Sequence, residues 1–152
     1  MKTGVNGELL NIDGLSFSYE KDSVVLKDIS FKANYGESIA LVGANGIGKS
    51  TLMKLMVGLY LNYTGNITVA GHEMCKKNLD HIREHIGYVV QDSDSQLFLS
   101  TVEDDVAFGP ENLGVEPEEI RRRVDEALKR VGMYELKDKG AYMLSGGPKQ
   151  RV

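Results

Sequence analysis

Gly43-Ala44-Asn45-Gly46-Ile47-Gly48-Lys49-Ser50 matches the spacing G-x-x-x-x-G-K-[ST] without a gap, and Thr51 follows it. Each position has a physical task. Glycines let the backbone curl until successive N–H groups converge on a phosphate, and a helix starting there adds its partial positive end. Lys49 is expected to reach the β- and γ-phosphates, and the Ser50 hydroxyl to take one position on Mg²⁺. Thr51 is placed to hold the α-phosphate. Ala44, Asn45, Gly46 and Ile47 contribute backbone to the same cradle. The chemistry is that of binding MgATP or a similar nucleotide.

Such a loop works only between a strand that anchors it and a helix that it opens. Ser38-Ile39-Ala40-Leu41-Val42 is a compact apolar run that predicts the strand. Ser50 to Val57 has apolar spacing that suits the helix. Upstream, Leu9 to Ala33 alternates short β-favouring pieces with polar turns and predicts an antiparallel meander. Downstream, Asn66-Ile67-Thr68-Val69 reads as a strand ending at Gly71, Leu79 to His85 as a short helix, and Tyr88-Val89-Val90 as a buried strand. Ser100 with Glu103 has the form of a capping box, so a helix is expected from about Thr101 to Gly109-Pro110. From Pro117 to Val131, Ile120, Val124, Leu128 and Val131 share one helical face, leaving Arg121, Arg122 and Arg123 as a solvated one.

The bulk properties narrow the class. A chain of 152 residues, 41% hydrophobic, accommodates one domain with a sizeable core. Its net charge of −4 argues against a broad phosphate-backbone surface, so nucleic acid is not an expected partner. A single cysteine, Cys75, allows no internal disulfide, and the start of the sequence lacks a leader-like apolar stretch, which predicts a cytoplasmic setting. No run approaches the roughly 20 apolar residues of a membrane span, so membrane contact is expected through a partner. His81 and His85 satisfy H-x-x-E-H, but the helix is short and Gly87 follows, so a solvated face is the expected role.

Near the other end, Leu144-Ser145-Gly146-Gly147-Pro148-Lys149-Gln150-Arg151 resembles the LSGGQ signature of ABC ATPases. With a phosphate loop upstream, the pair resembles that family in order as well as content. The resemblance implies an α/β phosphate-loop NTPase fold with an antiparallel β subdomain and a helical signature subdomain. It puts Tyr19 where the family's adenine-stacking aromatic lies, and Gln91 at its glutamine loop, near Mg²⁺ and the attacking water. Ser145, Gly146 and Gly147 would meet the γ-phosphate held by a second ATPase subunit, identical or different. Pro148 departs from the usual glutamine; proline suits a helix's first turn, but the side-chain contact of that glutamine is lost.

The segments Gln91 to Phe98 and Thr101 to Gly114 resemble the ATPases of energy-coupling-factor and cobalt-type importers. That likeness implies ATP hydrolysis driving import of a metal ion or vitamin through a transmembrane coupling subunit, at the cytoplasmic face of the cell membrane. Leu97 and Phe98 are expected to help receive a helix of that subunit, with core filling as the competing role. The expected layout is one domain: β-rich parts at about 9–42 and 60–71, loop and helix at 43–58, strand and glutamine loop at 86–100, and the signature subdomain at 101–152. The family continues beyond its signature with a Walker B strand, a catalytic Glu and a switch His. The chain is therefore expected to be a fragment lacking the C-terminal core strands and unable to hydrolyse ATP alone. Alternatives are a soluble ABC ATPase of DNA repair or translation, and a non-catalytic nucleotide-binding module.

Overall fold

The computed structural model describes residues 7–20, 23–90, 96–140, 143–144 and 146–152. The chain divides into two compact units, Met1–Tyr88 and Val89–Val152. In the first, β1 (Glu8–Ser18) and β2 (Val24–Asn34) form a long antiparallel pair, with Leu10 opposite Ala33, Leu15 opposite Ile29 and Phe17 opposite Leu26. The inward residues of β1 are Ile12, Leu15 and Phe17, so the alternation slips by one position between residues 12 and 15. An irregularity there absorbs the slip, with Gly14 at φ +59°. Two serines cover the loosened ladder: Gly14 N–H donates to Ser30 Oγ (2.8 Å) and Asp28 N–H to Ser16 Oγ (2.9 Å).

On the other side of β1 lies β3 (Thr64–Val69), again antiparallel, with Ile12 opposite Ile67. It turns through Ala70 and Gly71, at φ +49° and +82°, into the short β4 (His72–Glu73). Two successive positive φ values are those of a hairpin turn whose twist matches the strands. The sheet order is thus β2-β1-β3-β4. The expected meander over Leu9 to Ala33 is a single hairpin, because Val24–Leu26 and Ile29–Phe31 belong to one strand, β2, and β3 joins on the far side of β1.

Beneath the sheet runs α1 (Lys49–Met56), which buries Thr51, Leu52 and Leu55. Leu52 and Leu55 join Ile12, Leu15, Phe17, Leu26, Ile67 and Val69 in one core, closed by Ile82 from α2 (Leu79–Arg83). Because α2 ends at Arg83, His81 and His85 do not share its face, and the His81 ring stacks on His72 instead.

Two expected strands are not formed. Ser38–Val42 and Tyr88–Val90 lie outside every strand, and Val42 is 88% exposed. Ile39 and Leu41 border an open apolar groove of about 660 Å³ shared with Leu10, Phe31, Leu52 and Met56. A strand exists only through ladder bonds to a neighbour, and among the described residues neither segment has one.

The second unit is helical. Its α3 (Val102–Asn112) is capped by Thr101, whose side-chain oxygen accepts from Asp104 N–H at 3.2 Å. The cap is therefore Thr101, one residue later than the expected Ser100. The helix also continues through Pro110 to Asn112 rather than stopping at Gly109-Pro110. Next, α4 (Pro117–Arg130) starts with proline at its first position, where no N–H is needed. Val124 and Leu128 of α4 are buried with Val102, Ala107, Met133 and Leu144, whereas Val131 lies past the helix end and is exposed.

The arginine face of α4 is solvated and ion-paired. Arg122 bridges Glu119 (2.7 Å) and Glu126 (2.6 Å), and Arg123 donates to Glu119 at 2.8 Å. Hydrogen bonds from Arg122 and then Arg123 hold the Glu119 carboxyl down at about 2. Water screens this exposed pairing, so it contributes little to stability. No helix among the described residues is long and apolar enough to cross a membrane.

Candidate nucleotide-binding site

The first unit supplies a loop and an aromatic ring. From Gly43 to Gly48 the backbone turns through Gly46 at φ +80° and Gly48 at φ +101°, and Gly48 caps α1. Gly48 also packs closely: a Cβ built there would stand 2.9 Å from Leu26 Cδ2 and 3.2 Å from the Val25 carbonyl oxygen. The loop is therefore seated against β2 at Gly48, the one glycine of the loop where a side chain has neither conformation nor room. A Cβ built at Gly46 would meet nothing within 4 Å, so the loop has open space on that side.

Lys49 folds back over the start of the loop, its Nζ donating to the carbonyl oxygens of Gly43 (2.7 Å) and Ala44 (2.8 Å). The ammonium thus sits among loop carbonyls, which phosphate oxygens would replace as acceptors. Ser50 is exposed on the first turn of α1, so its hydroxyl is accessible to a hydrated cation. Thr51 is buried, and its hydroxyl is 2.9 Å from the Tyr19 phenol oxygen. With Tyr19 as the donor, the Thr51 O–H remains available to a phosphate oxygen. Lysine, accessible serine, open space beside Gly46 and helix start together suit a polyphosphate with its Mg²⁺.

Tyr19 stands just beyond β1 and is 51% exposed. Its hydroxyl is tied to α1 while part of the ring remains available for stacking. Sequence reasoning named Tyr19 but missed the rings around it, Phe17 and Tyr60.

In the second unit, Gly146 and Gly147 open α5 (Gly146–Arg151). Pro148 is the third residue of that helix, in the turn where a missing N–H costs nothing, so the backbone tolerates the departure from glutamine. Gln91 and Ser145 lie outside the described residues. Leu97 is half-buried against the second core, which makes core filling its role in the structure, whereas Phe98 is 65% exposed and edge-on to Phe108 at 5.2 Å. One feature escaped the sequence: Asp105 Oδ1 accepts from the N–H groups of both Phe98 and Leu99, each at 3.1 Å. No local spacing advertises such a clamp.

An antiparallel sheet over a phosphate-loop helix, followed by a helical unit whose last helix opens on a glycine pair, defines an ABC-type ATPase fold. The ABC transporter family model matches residues 26–152, and the chain belongs to that family. It is 45% identical over 148 residues to the energy-coupling factor transporter ATP-binding protein EcfA1 of Clostridioides difficile, covering 95% of this chain and 53% of that protein. Its identity to the EcfA1 of Caldanaerobacter subterraneus subsp. tengcongensis is 48% over 151 residues, covering 95% and 54%. Among solved structures, cbiO1 of Clostridium perfringens, part of the ABC transporter complex cbiONQ, superposes with a TM-score of 0.82 at 40% identity, covering 95% of this chain and 58% of that one. The chain spans about half the length of the curated relatives it matches.

Proposed function

We propose that this chain binds MgATP and belongs to the motor subunit of an ABC importer. The observation that carries the reading is the seated loop from Gly43 to Thr51, with the Lys49 ammonium held by two replaceable carbonyls, those of Gly43 and Ala44. Gly43, Ala44, Asn45, Gly46, Ile47 and Gly48 present backbone to the phosphates, Lys49 supplies positive charge, and Thr51 holds the α-phosphate. Ser50 takes one position on Mg²⁺, with Gln91 as the second protein group near the metal and the attacking water. Tyr19 stacks on the adenine. Bound Mg²⁺ supplies charge neutralisation on the phosphate oxygens.

Ser145, Gly146 and Gly147 complete the ATP site of a second ATPase subunit. The intact protein hydrolyses ATP and drives import of a metal ion such as cobalt, or of a vitamin, through a transmembrane coupling subunit at the cytoplasmic membrane face. Support for the importer class comes from the relatives, named as energy-coupling factor transporter ATP-binding proteins and as part of a cbiONQ complex. The test is a calorimetric titration of the chain with MgATP. Saturable binding at one site is expected, and no heat above dilution at millimolar nucleotide would sink the proposal.

The coupling contact narrows to one residue of the expected pair. Phe98 is exposed, its backbone is fixed by Asp105, and its ring leans on Phe108, so it presents apolar surface at little entropic cost. Phe98→Ser is expected to lower transport in the assembled importer at least about tenfold, as for an aromatic interface anchor worth roughly 2 kcal/mol. MgATP affinity should stay unchanged. Leu97→Ser should instead lower thermal stability, since Leu97 packs against the core.

A further inference from the structure

The helix that carries Lys49, Ser50 and Thr51 at its start also determines where Tyr60 falls beyond its end. After α1, Gly58 N–H donates to the Leu55 carbonyl (3.0 Å) and Leu59 N–H to the Lys54 carbonyl (2.9 Å), with Gly58 at φ +70°. This paired 5→2 and 6→1 closure fixes the direction in which the chain leaves the helix. It delivers Tyr60 to the end of β1, where its ring stacks on Phe17 (5.5 Å, 28° between planes). Tyr19 stands perpendicular to both, 4.9 Å from Phe17 at 84° and 5.6 Å from Tyr60 at 87°.

Such perpendicular contacts are the favoured alternative to face-to-face stacking, since ring edges are positive and ring faces negative. Tyr19 is thereby held at three points: two rings and the Thr51 hydroxyl. Its partners differ in kind. Phe17 is 3% exposed and belongs to the core, and Thr51 belongs to the phosphate-binding turn. Tyr60 is half-buried against the core, and its ring meets Tyr19 both directly and by way of Phe17.

We propose that Tyr60 is a positioning residue for recognition of the nucleotide base, holding Tyr19 upright while the phosphate loop binds independently of it. This rests on the nucleotide-binding function proposed above. A half-exposed tyrosine free to rotate would lose orientational freedom each time a base stacked on it; the Tyr60 wall removes that loss in advance. The contribution belongs to the base and sugar, not to the triphosphate.

The test compares MgATP with magnesium tripolyphosphate, which has the phosphates and no base, on the full chain. Tyr60→Leu, which keeps apolar volume, is expected to raise the Kd for MgATP by about three- to tenfold, the range of an aromatic pair. The Kd for tripolyphosphate should not move. Tyr60→Phe should restore ATP affinity, because the ring makes the contacts with Phe17 and Tyr19. In a Tyr19→Ala background, Tyr60→Leu should add nothing further. An equal loss for both ligands would show a general structural role and overturn the proposal, as would no change for ATP. If the unaltered chain binds tripolyphosphate but gains nothing from the base, Tyr60 has nothing to position and the proposal falls alone. If it binds neither ligand, the nucleotide-binding function falls with it.

Discussion

Gly65→Ala is expected to destabilise the first unit by about 4 kcal/mol, combining a strained backbone with an overpacked contact. At Gly65 the backbone has φ +91°, and a Cβ would stand 2.4 Å from the Gly14 carbonyl oxygen, 2.5 Å from its carbon and 2.6 Å from the Asp13 oxygen. All three atoms are backbone, so no side-chain tip can swing aside. Relief requires β1 and β3 to part at the irregularity where Ser16 still pairs with Thr64. A domain of ordinary stability has only about 5–15 kcal/mol in total, so the loss should be plain as a lower midpoint in urea followed by far-UV circular dichroism.

Gly71→Ala provides the comparison. Gly71 has φ +82° with nothing within 4 Å of its Cβ position, so it carries backbone strain alone and should cost about 1 kcal/mol. If the two variants lose the same stability, β1 and β3 do not approach as closely as the structure shows. The functional consequence follows from continuity: the chain runs from Gly14 through Phe17 of β1 to Tyr19 just beyond its end, so parting the strands should also loosen the platform proposed for the base.

Features written into short stretches were legible in the sequence. The loop from Gly43 to Thr51 is specified by its own glycines and lysine, and α1 and α4 announce themselves by apolar spacing and, for α4, by its starting proline. What stayed hidden depends on pairs of distant segments. Ser38–Val42 and Tyr88–Val90 have the apolar content of buried strands, but composition speaks of burial and is silent on the ladder partner. Between residues 12 and 15 of β1 the period-two pattern changes phase, a visible signal, yet only the position of β2 and β3 shows that Gly14 absorbs it. The cap of α3 was ambiguous locally, since Ser100 and Thr101 are both suited to cap it; the extended backbone at Thr101 (φ −132°, ψ 162°) selects the second. Tyr60 and the Asp105 clamp had no local signal at all, because both act through tertiary contact. Gln91 and Ser145 rest on family resemblance alone.

Lys49→Ala is expected to weaken MgATP binding by on the order of 100-fold, or about 2.7 kcal/mol. That is the range of a hydrogen bond from a charged donor lost from a prepared site. Lys49 Nζ spans the Gly43 and Ala44 carbonyls, so the loop holds the charge at the place proposed for the phosphates. Neutral carbonyls are weaker acceptors than phosphate oxygens, so the exchange of partners is favourable and needs little movement of the backbone. Lys49→Arg should not restore affinity: a longer, planar fork cannot place its charge where the compact ammonium meets the Gly43 and Ala44 carbonyls. Lys54→Ala, on the same helix but away from its start, should leave binding within twofold of the unaltered chain and so controls for a change of net charge. The free chain's stability should barely respond to Lys49→Ala, because the two bonds lost are exposed. Calorimetry with MgATP and a urea midpoint on each variant separate these effects. Unchanged affinity in Lys49→Ala would mean that the phosphates lie elsewhere, and the role of α1 as their anchor would have to be given up.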